Sequence, residues 1–153
     1  MTKLAYIDSG VLITAAVGTN EIARRNAAAV IDDTNRKFAS SFMVQLEVLL
    51  KAIYFKNVVE IAYYSAFFDS VTAWYGKIEE INDSLLVSQK TEIISHTELN
   101  LAAYKYGCKY GLGGSDALQI AAAITLEADE FVTSERLTSP LFRVTELKVT
   151  SIR

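Results

Sequence analysis

The feature that most constrains this chain is its alternation of strand-length apolar runs with longer segments of helical period. Residues 3–7, KLAYI, form an apolar run that stops at Asp8-Ser9-Gly10, which reads as a buried strand and a turn. A short helix over VLITAAV ends at Gly18. A second helix spans residues 20–34, with Ile22, Ala23, Ala27, Val30 and Ile31 at helical spacing. Residues 37–40 read as the second strand, and Ser40-Ser41 can cap the helix of about 42–55. That helix is apolar nearly all round, which predicts thorough burial. Asn57 precedes a helix over about 58–75, rich in rings (Tyr63, Tyr64, Phe67, Phe68, Trp74, Tyr75) that read as packing surface. Residues 77–90 are ambiguous with a helical leaning, 91–95 read as a third strand and 97–109 as a helix. Glycines at 107, 111, 113 and 114 mark a turn, after which Ser115-Asp116 caps an apolar helix, ALQIAAAITL. Residues 130–133 and 147–152 supply the last two strands. Strands alternating with helices predict an α/β fold, a mainly parallel sheet of four to five strands with helices on both faces, in one domain over residues 1–153.

Composition narrows the chemistry. With 51% hydrophobic residues over 153 positions, a full core forms without covalent staples. The single cysteine, Cys108, allows no internal disulfide, fits a reducing cytoplasm, and reads as a small buried hydrophobe. With one histidine as well, His96, a Cys/His zinc site is ruled out, and His96 itself reads as structural. A net charge of −3 argues against gripping nucleic acid by bulk positive charge. It is compatible with an enzyme that meets phosphate through bound cations. No stretch reads as a signal peptide or a membrane span, so a cytoplasmic protein without a membrane partner is expected.

Ligands of a parallel α/β sheet sit beyond the carboxyl ends of its strands. Asp8 and Glu135 fall at or just after strand ends, Asp116 opens a helix at that same end, and Glu47 lies one to two turns into the helix after the second strand. Each acid also has a purely structural reading: Asp8 and Asp116 as helix caps, Glu47 as an i, i+4 partner of Lys51, Glu135 as a solvated loop residue beside Arg136. Glu47 fits its structural reading least well, because Met43, Leu46, Val48 and Leu50 surround it and an ionised carboxylate there needs compensation. Two carboxylates about 4 Å apart cost roughly 4 kcal/mol at an effective dielectric near 20. A cation relieves this, and an all-oxygen set suits Mg²⁺ or Mn²⁺. Ser9, Ser115 and Thr133 adjoin the acids and can orient them, or else serve turns and caps.

The segments YIDSGVLI, SSFMVQLEVLLKA, GLGGSDALQIAAAI and FVTSE, in this order and across nearly the whole chain, resemble the PIN-domain family, and most of all its VapC-type toxin ribonucleases. The resemblance implies a three-layer α/β/α sandwich and an endoribonuclease dependent on Mg²⁺ or Mn²⁺. It also implies an RNA substrate, a small antitoxin partner and a homodimer. Carried over by position, Asp8, Glu47 and Asp116 match the family's three central acids. Glu135 stands where a fourth acid, usually Asp, is common, and Thr133 matches a hydroxyl near it. Gln119 departs from the Asp-Ala-Leu-His pattern frequent at the third acid. Arg24, Arg25, Lys51 and Arg136 are candidates for phosphate contacts or solvated-face residues. Two other readings stay open. One is a catalytically idle PIN-like module that binds RNA or a protein. The other is a phosphohydrolase for small phosphate esters, disfavoured because Gly10 stands alone after the first strand.

Overall fold

The computed structural model describes residues 2–78 and 97–153. The first strand, β1 (Lys3–Ile7), leads without a loop into α1 (Ser9–Val17). There follow α2 (Glu21–Ile31), β2 (Arg36–Ser41), α3 (Phe42–Tyr54), α4 (Val58–Ser70) and β3 (Val71–Tyr75). Beyond the undescribed residues come α5 (Thr97–Tyr110), α6 (Gly114–Thr125), β4 (Glu130–Thr133), a 3-10 turn (Pro140–Arg143) and β5 (Lys148–Ser151).

The strands form one sheet in the order β3-β2-β1-β4-β5, with every pairing parallel. Helices flank this sheet as an α/β/α sandwich. The central strand β1 is apolar on both faces and Ala5, Tyr6 and Ile7 are fully buried, as a strand covered by helices on both sides requires. Tyr6 stacks on Phe131 of the neighbouring β4, ring centroids 5.3 Å apart. The order also fixes where a ligand belongs. The chain steps from β1 to β2 and β3 on one side, then crosses back to β4 on the other, so the switch point lies between the carboxyl ends of β1 and β4. The opposite rim is clamped by charge. Arg36 of β2 reaches across β1, beside the small Ala5, to Glu130 of β4 at 2.7 Å, and also binds Asp33.

Several expectations are corrected. The helix expected over 58–75 ends at Ser70, whose hydroxyl folds back onto the Phe67 carbonyl at 2.6 Å, and Val71–Tyr75 is instead an edge strand paired with β2. Its β-branched and aromatic residues suit a half-buried sheet edge, and Phe67, Phe68 and Trp74 pack as one ring cluster across the junction. The helix at 42–55 is not buried all round: Val44, Gln45, Val48 and Ala52 face the core, while Leu50, Ile53, Tyr54 and Phe55 are exposed. Cys108 is exposed, because the buried face of α5 runs through Leu99, Ala103 and Tyr110 and leaves it on the other side. The cap of α6 is Gly113, which places Ser115 and Asp116 inside the first turn. Ser41 stands at the start of α3 but does not cap it with its side chain; its hydroxyl pairs with Tyr6 instead. The strand expected at 91–95, His96 and nearly all of the helix expected at 77–90 lie outside the described residues.

Candidate functional site

The Asp8 backbone N–H donates to the Val132 carbonyl at 2.9 Å, which locks the end of β1 against β4 at the switch point. Asp8 occupies the cap position of α1, yet its side chain makes no capping hydrogen bond. One carboxylate oxygen accepts the Thr133 hydroxyl at 2.7 Å and the other accepts the Ser9 hydroxyl at 3.3 Å. Thr133 is itself oriented: its oxygen accepts the Glu135 backbone N–H at 3.1 Å, which leaves its own proton for Asp8. The Gly10 backbone N–H contributes least among the groups acting on the Asp8 carboxyl, so capping is a minor part of its role, and the residue is a buried carboxylate held mainly by hydroxyls.

Glu47 projects from α3 toward α6. Its two oxygens accept from the Ser115 hydroxyl and from the Gln119 amide, the latter at 3.0 Å. Asp116 stands half-buried in the first turn of α6. Glu135 is exposed, two residues past Thr133. The structure thus brings Asp8, Glu47 and Asp116 to one rim, with Glu135 at its solvent side next to Asp116. The three hydroxyls Ser9, Ser115 and Thr133 each touch an acid.

The electrostatics are those of a carboxylate cluster. Burial pushes the Asp8 carboxyl up to about 6; the Thr133 bond lowers it, and the charges of Asp116 and Glu47 raise it further. Burial also raises Asp116, followed by the charges of Glu135 and Glu47. The charged side chains acting on Asp8 are thus themselves negative. Beneath the rim, the Tyr6 hydroxyl bonds Ser41 at 2.7 Å, and burial, with Asp8 and Glu47 nearby, keeps that phenol protonated.

The donors are all oxygen, which fits a hard divalent cation and not zinc or copper. Among the described residues no three His, Cys, Asp or Glu side chains already form a ready coordination shell. Glu47 is engaged by Ser115 and Gln119, one bond to each oxygen, which leaves each oxygen a further lone pair for an ion. Asp8, Glu47, Asp116 and Glu135 are the residues that could hold such an ion.

Of the basic candidates, Lys51 shares a groove of about 370 Å³ with Glu47, between α1, α3 and α4, lined also by Ile13, Phe55 and Tyr64. Arg24 and Arg25 lie beside Ala15 and Ala16, at the end of α1 remote from Asp8, and Arg25 pairs with Glu21. Arg136 is exposed next to Glu135. The residue that sequence reasoning missed is Gln119, read only as a departure from a family pattern. Its spacing of four from Ser115 puts both on one face of α6, and that was the available signal.

Comparison with known proteins follows the fold. No curated protein sequence matches the chain. Among solved structures, the complex of VapBC2 from Rickettsia felis bound to a DNA fragment from its promoter superposes with a TM-score of 0.63 at 12% identity, covering 97% of this chain and 98% of that one. VapBC-1 from nontypeable Haemophilus influenzae gives a TM-score of 0.60 at 15% identity, over 97% and 98% of the two chains. At such identities these likenesses concern the fold. The sequence itself matches the PIN domain model over residues 5–137, and the chain belongs to the PIN domain family.

Proposed function

We propose that this protein is a metal-dependent endoribonuclease, the toxin component of a toxin–antitoxin pair. PIN domains are in general nucleases. The observation that carries the reading is Asp8: a buried carboxylate at the switch point, pushed up to about 6, with the carboxylates of Asp116 and Glu47 acting on it. A cluster of that kind costs folding energy and is relieved by a cation. In this reading Asp8, Glu47 and Asp116 hold Mg²⁺ or Mn²⁺, and Glu135 assists at the exposed side. When bound, the ion supplies positive charge to offset a phosphodiester and lowers the pKa of an attacking water. The protein's own part is to orient and select. Thr133 and Ser9 hold the Asp8 carboxylate, Ser115 and Gln119 hold that of Glu47, and Lys51 places a cation along the groove where an RNA backbone runs.

The antitoxin and homodimer readings are supported by the apolar surface at the α3–α4 corner, where Leu50, Ile53, Tyr54, Phe55, Val58 and Val59 are all exposed. The VapBC complexes that share the fold support the antitoxin reading alone. Among the described residues no helix is long and apolar enough to cross a membrane.

One observation favours a second reading, a PIN module that binds RNA or protein without cutting: among the described residues no three His, Cys, Asp or Glu side chains stand as a ready coordination shell. RNA cleavage with Mg²⁺ or Mn²⁺ separates the two, comparing the parent with Asp8→Asn and Asp116→Asn. Cleavage by the parent, lost in both variants, is expected. Cleavage surviving both substitutions overturns the site. A folded, Mn²⁺-binding parent that cuts no RNA supports the second reading.

A further inference from the structure

Packing alone does not account for the amide of Gln119. The side chain is 2% exposed on α6, among Ile120, Ala122 and Ala123, in the middle of an otherwise apolar segment. Its Oε1 is buried with no hydrogen-bond partner. A buried, unpaired carbonyl oxygen is destabilising, so an apolar side chain of the same length is the better core residue. What the amide does is donate. Its Nε2 bonds Glu47 at 3.0 Å and lies 3.5 Å from Ser115 Oγ, whose hydroxyl donates to the other Glu47 oxygen. Two donors one helical turn apart on α6 therefore grip both oxygens of a carboxylate on α3. Glu has three side-chain torsions, and without this grip its carboxylate samples many positions along the groove.

We propose that Gln119, together with Ser115, is a positioning residue that fixes the Glu47 carboxylate for a divalent cation. This rests on the metal-dependent reading of the acids. Each carboxylate oxygen accepts more than one bond, so the grip leaves lone pairs free while limiting where the group goes. Gln119 touches neither substrate nor ion; it acts through Glu47. Groups that orient metal ligands in this way change metal affinity by about 10- to 100-fold when removed.

The test is calorimetric titration of the whole chain with Mn²⁺, alongside metal-free thermal unfolding. Gln119→Met keeps length and apolar bulk but removes the donor. It is expected to weaken Mn²⁺ binding at least tenfold while leaving the metal-free Tm unchanged or raised, because an unpaired buried oxygen is lost as well. In a Glu47→Gln background the same substitution is expected to change Mn²⁺ affinity less than twofold, since a group acting through Glu47 has nothing left to act on. Should Gln119→Met misfold, Gln119→Leu removes the donor with a smaller apolar side chain and is expected to weaken binding likewise. Parental Mn²⁺ affinity in the folded Gln119 variant overturns the proposal, and so does an equal loss with and without Glu47. A parent that binds no Mn²⁺ defeats both this inference and the metal-dependent reading beneath it. A parent that binds Mn²⁺ through Gln119 and Glu47 but cuts no RNA leaves this inference standing and removes only the nuclease.

Discussion

Asp8→Asn is expected to stabilise the metal-free protein at pH 7.5 while abolishing its response to metal. The Asp8 carboxyl ordinarily titrates at 3.8 and is pushed up to about 6 in the fold, first by burial. The raised value sets the sign. Below pH 3.8 the group is protonated folded or unfolded and costs nothing. Between 3.8 and about 6 the folded chain must hold a proton that the unfolded chain has released, and above about 6 it must bury the charge instead, so stability falls across that window and then levels off. At about 1.4 kcal/mol per pKa unit, the rise corresponds to about 3 kcal/mol of destabilisation at pH 7.5. Asparagine carries no charge and still accepts the Thr133 hydroxyl through its amide oxygen, so most of that loss is recovered. Loss of the weaker Ser9 bond trims the gain to about 1–3 kcal/mol. For a domain of this size each kcal/mol moves Tm by about 2–4 °C, which predicts a rise of several degrees in EDTA. The assay is thermal unfolding of parent and variant at pH 7.5 and pH 4, with EDTA and with Mn²⁺. The gain should shrink toward pH 4, where the parent's Asp8 is largely protonated. Saturating Mn²⁺ should raise the parent and leave the variant nearly unmoved, by linkage. An Asp8→Asn protein that is less stable than the parent in EDTA at both pH values refutes the premise that Asp8 is an uncompensated buried charge.

Three further outcomes follow from the geometry. Thr133→Val removes the hydroxyl that lowers Asp8, so it should destabilise by about 1.5–3 kcal/mol at neutral pH and move the acidic limb of any cleavage–pH profile upward; an unmoved limb means that Asp8 does not set it. Arg36→Leu leaves Glu130 buried without its partner and should cost about 3–5 kcal/mol in urea unfolding, yet leave Mn²⁺ affinity at 15 °C unchanged, because the clamp lies at the far rim of the sheet. Ile53→Glu, on the exposed face of α3, should reduce a dimer to a monomer in light scattering and make Tm independent of protein concentration; a parent that is already monomeric at all concentrations rules out that face as a dimer contact.

What the sequence disclosed and what it hid divide along physical lines. The apolar run at 3–7 broken by an aspartate was legible as β1 and a site position because a central parallel strand is buried on both faces and tolerates an acid only at its end. The α6 segment was legible as a helix for the same reason, its apolar length. The junction at Ser70–Val71 was not: Asp69-Ser70 is the only polar mark there, no Gly or Pro separates α4 from β3, and the rings of Phe67, Phe68 and Trp74 serve helix and strand alike. Only pairing with β2, a tertiary event, decides that residues 71–75 are extended. In the site, the acids could be nominated one by one, but their partners could not. The contact between Gln119 and Glu47 spans 72 positions, and nothing local to either residue announces it. Likewise the exposed face of α3 was misread as core because apolarity tells how much a residue favours burial, not whether a partner within the chain covers it.

The two rims of the sheet treat the same chemical group in opposite ways, and the contrast explains how one small domain can be both stable and poised. Glu130 at the amino-terminal rim is more deeply buried than Asp8, but Arg36 meets it at 2.7 Å and the Thr150 hydroxyl lies 3.4 Å away. Asp8, one strand over and at the other end, is buried nearly as well and receives hydroxyls, the Gly10 backbone N–H and like charges, but no cation. Pairing of β1 with β4 holds both ends in one rigid frame: Ala5 sits opposite Glu130 and Ile7 opposite Val132. The compensated rim therefore carries the stability that lets the uncompensated rim exist. An arginine supplied at the Asp8 rim would strengthen the fold and fill the place that a divalent cation is proposed to take.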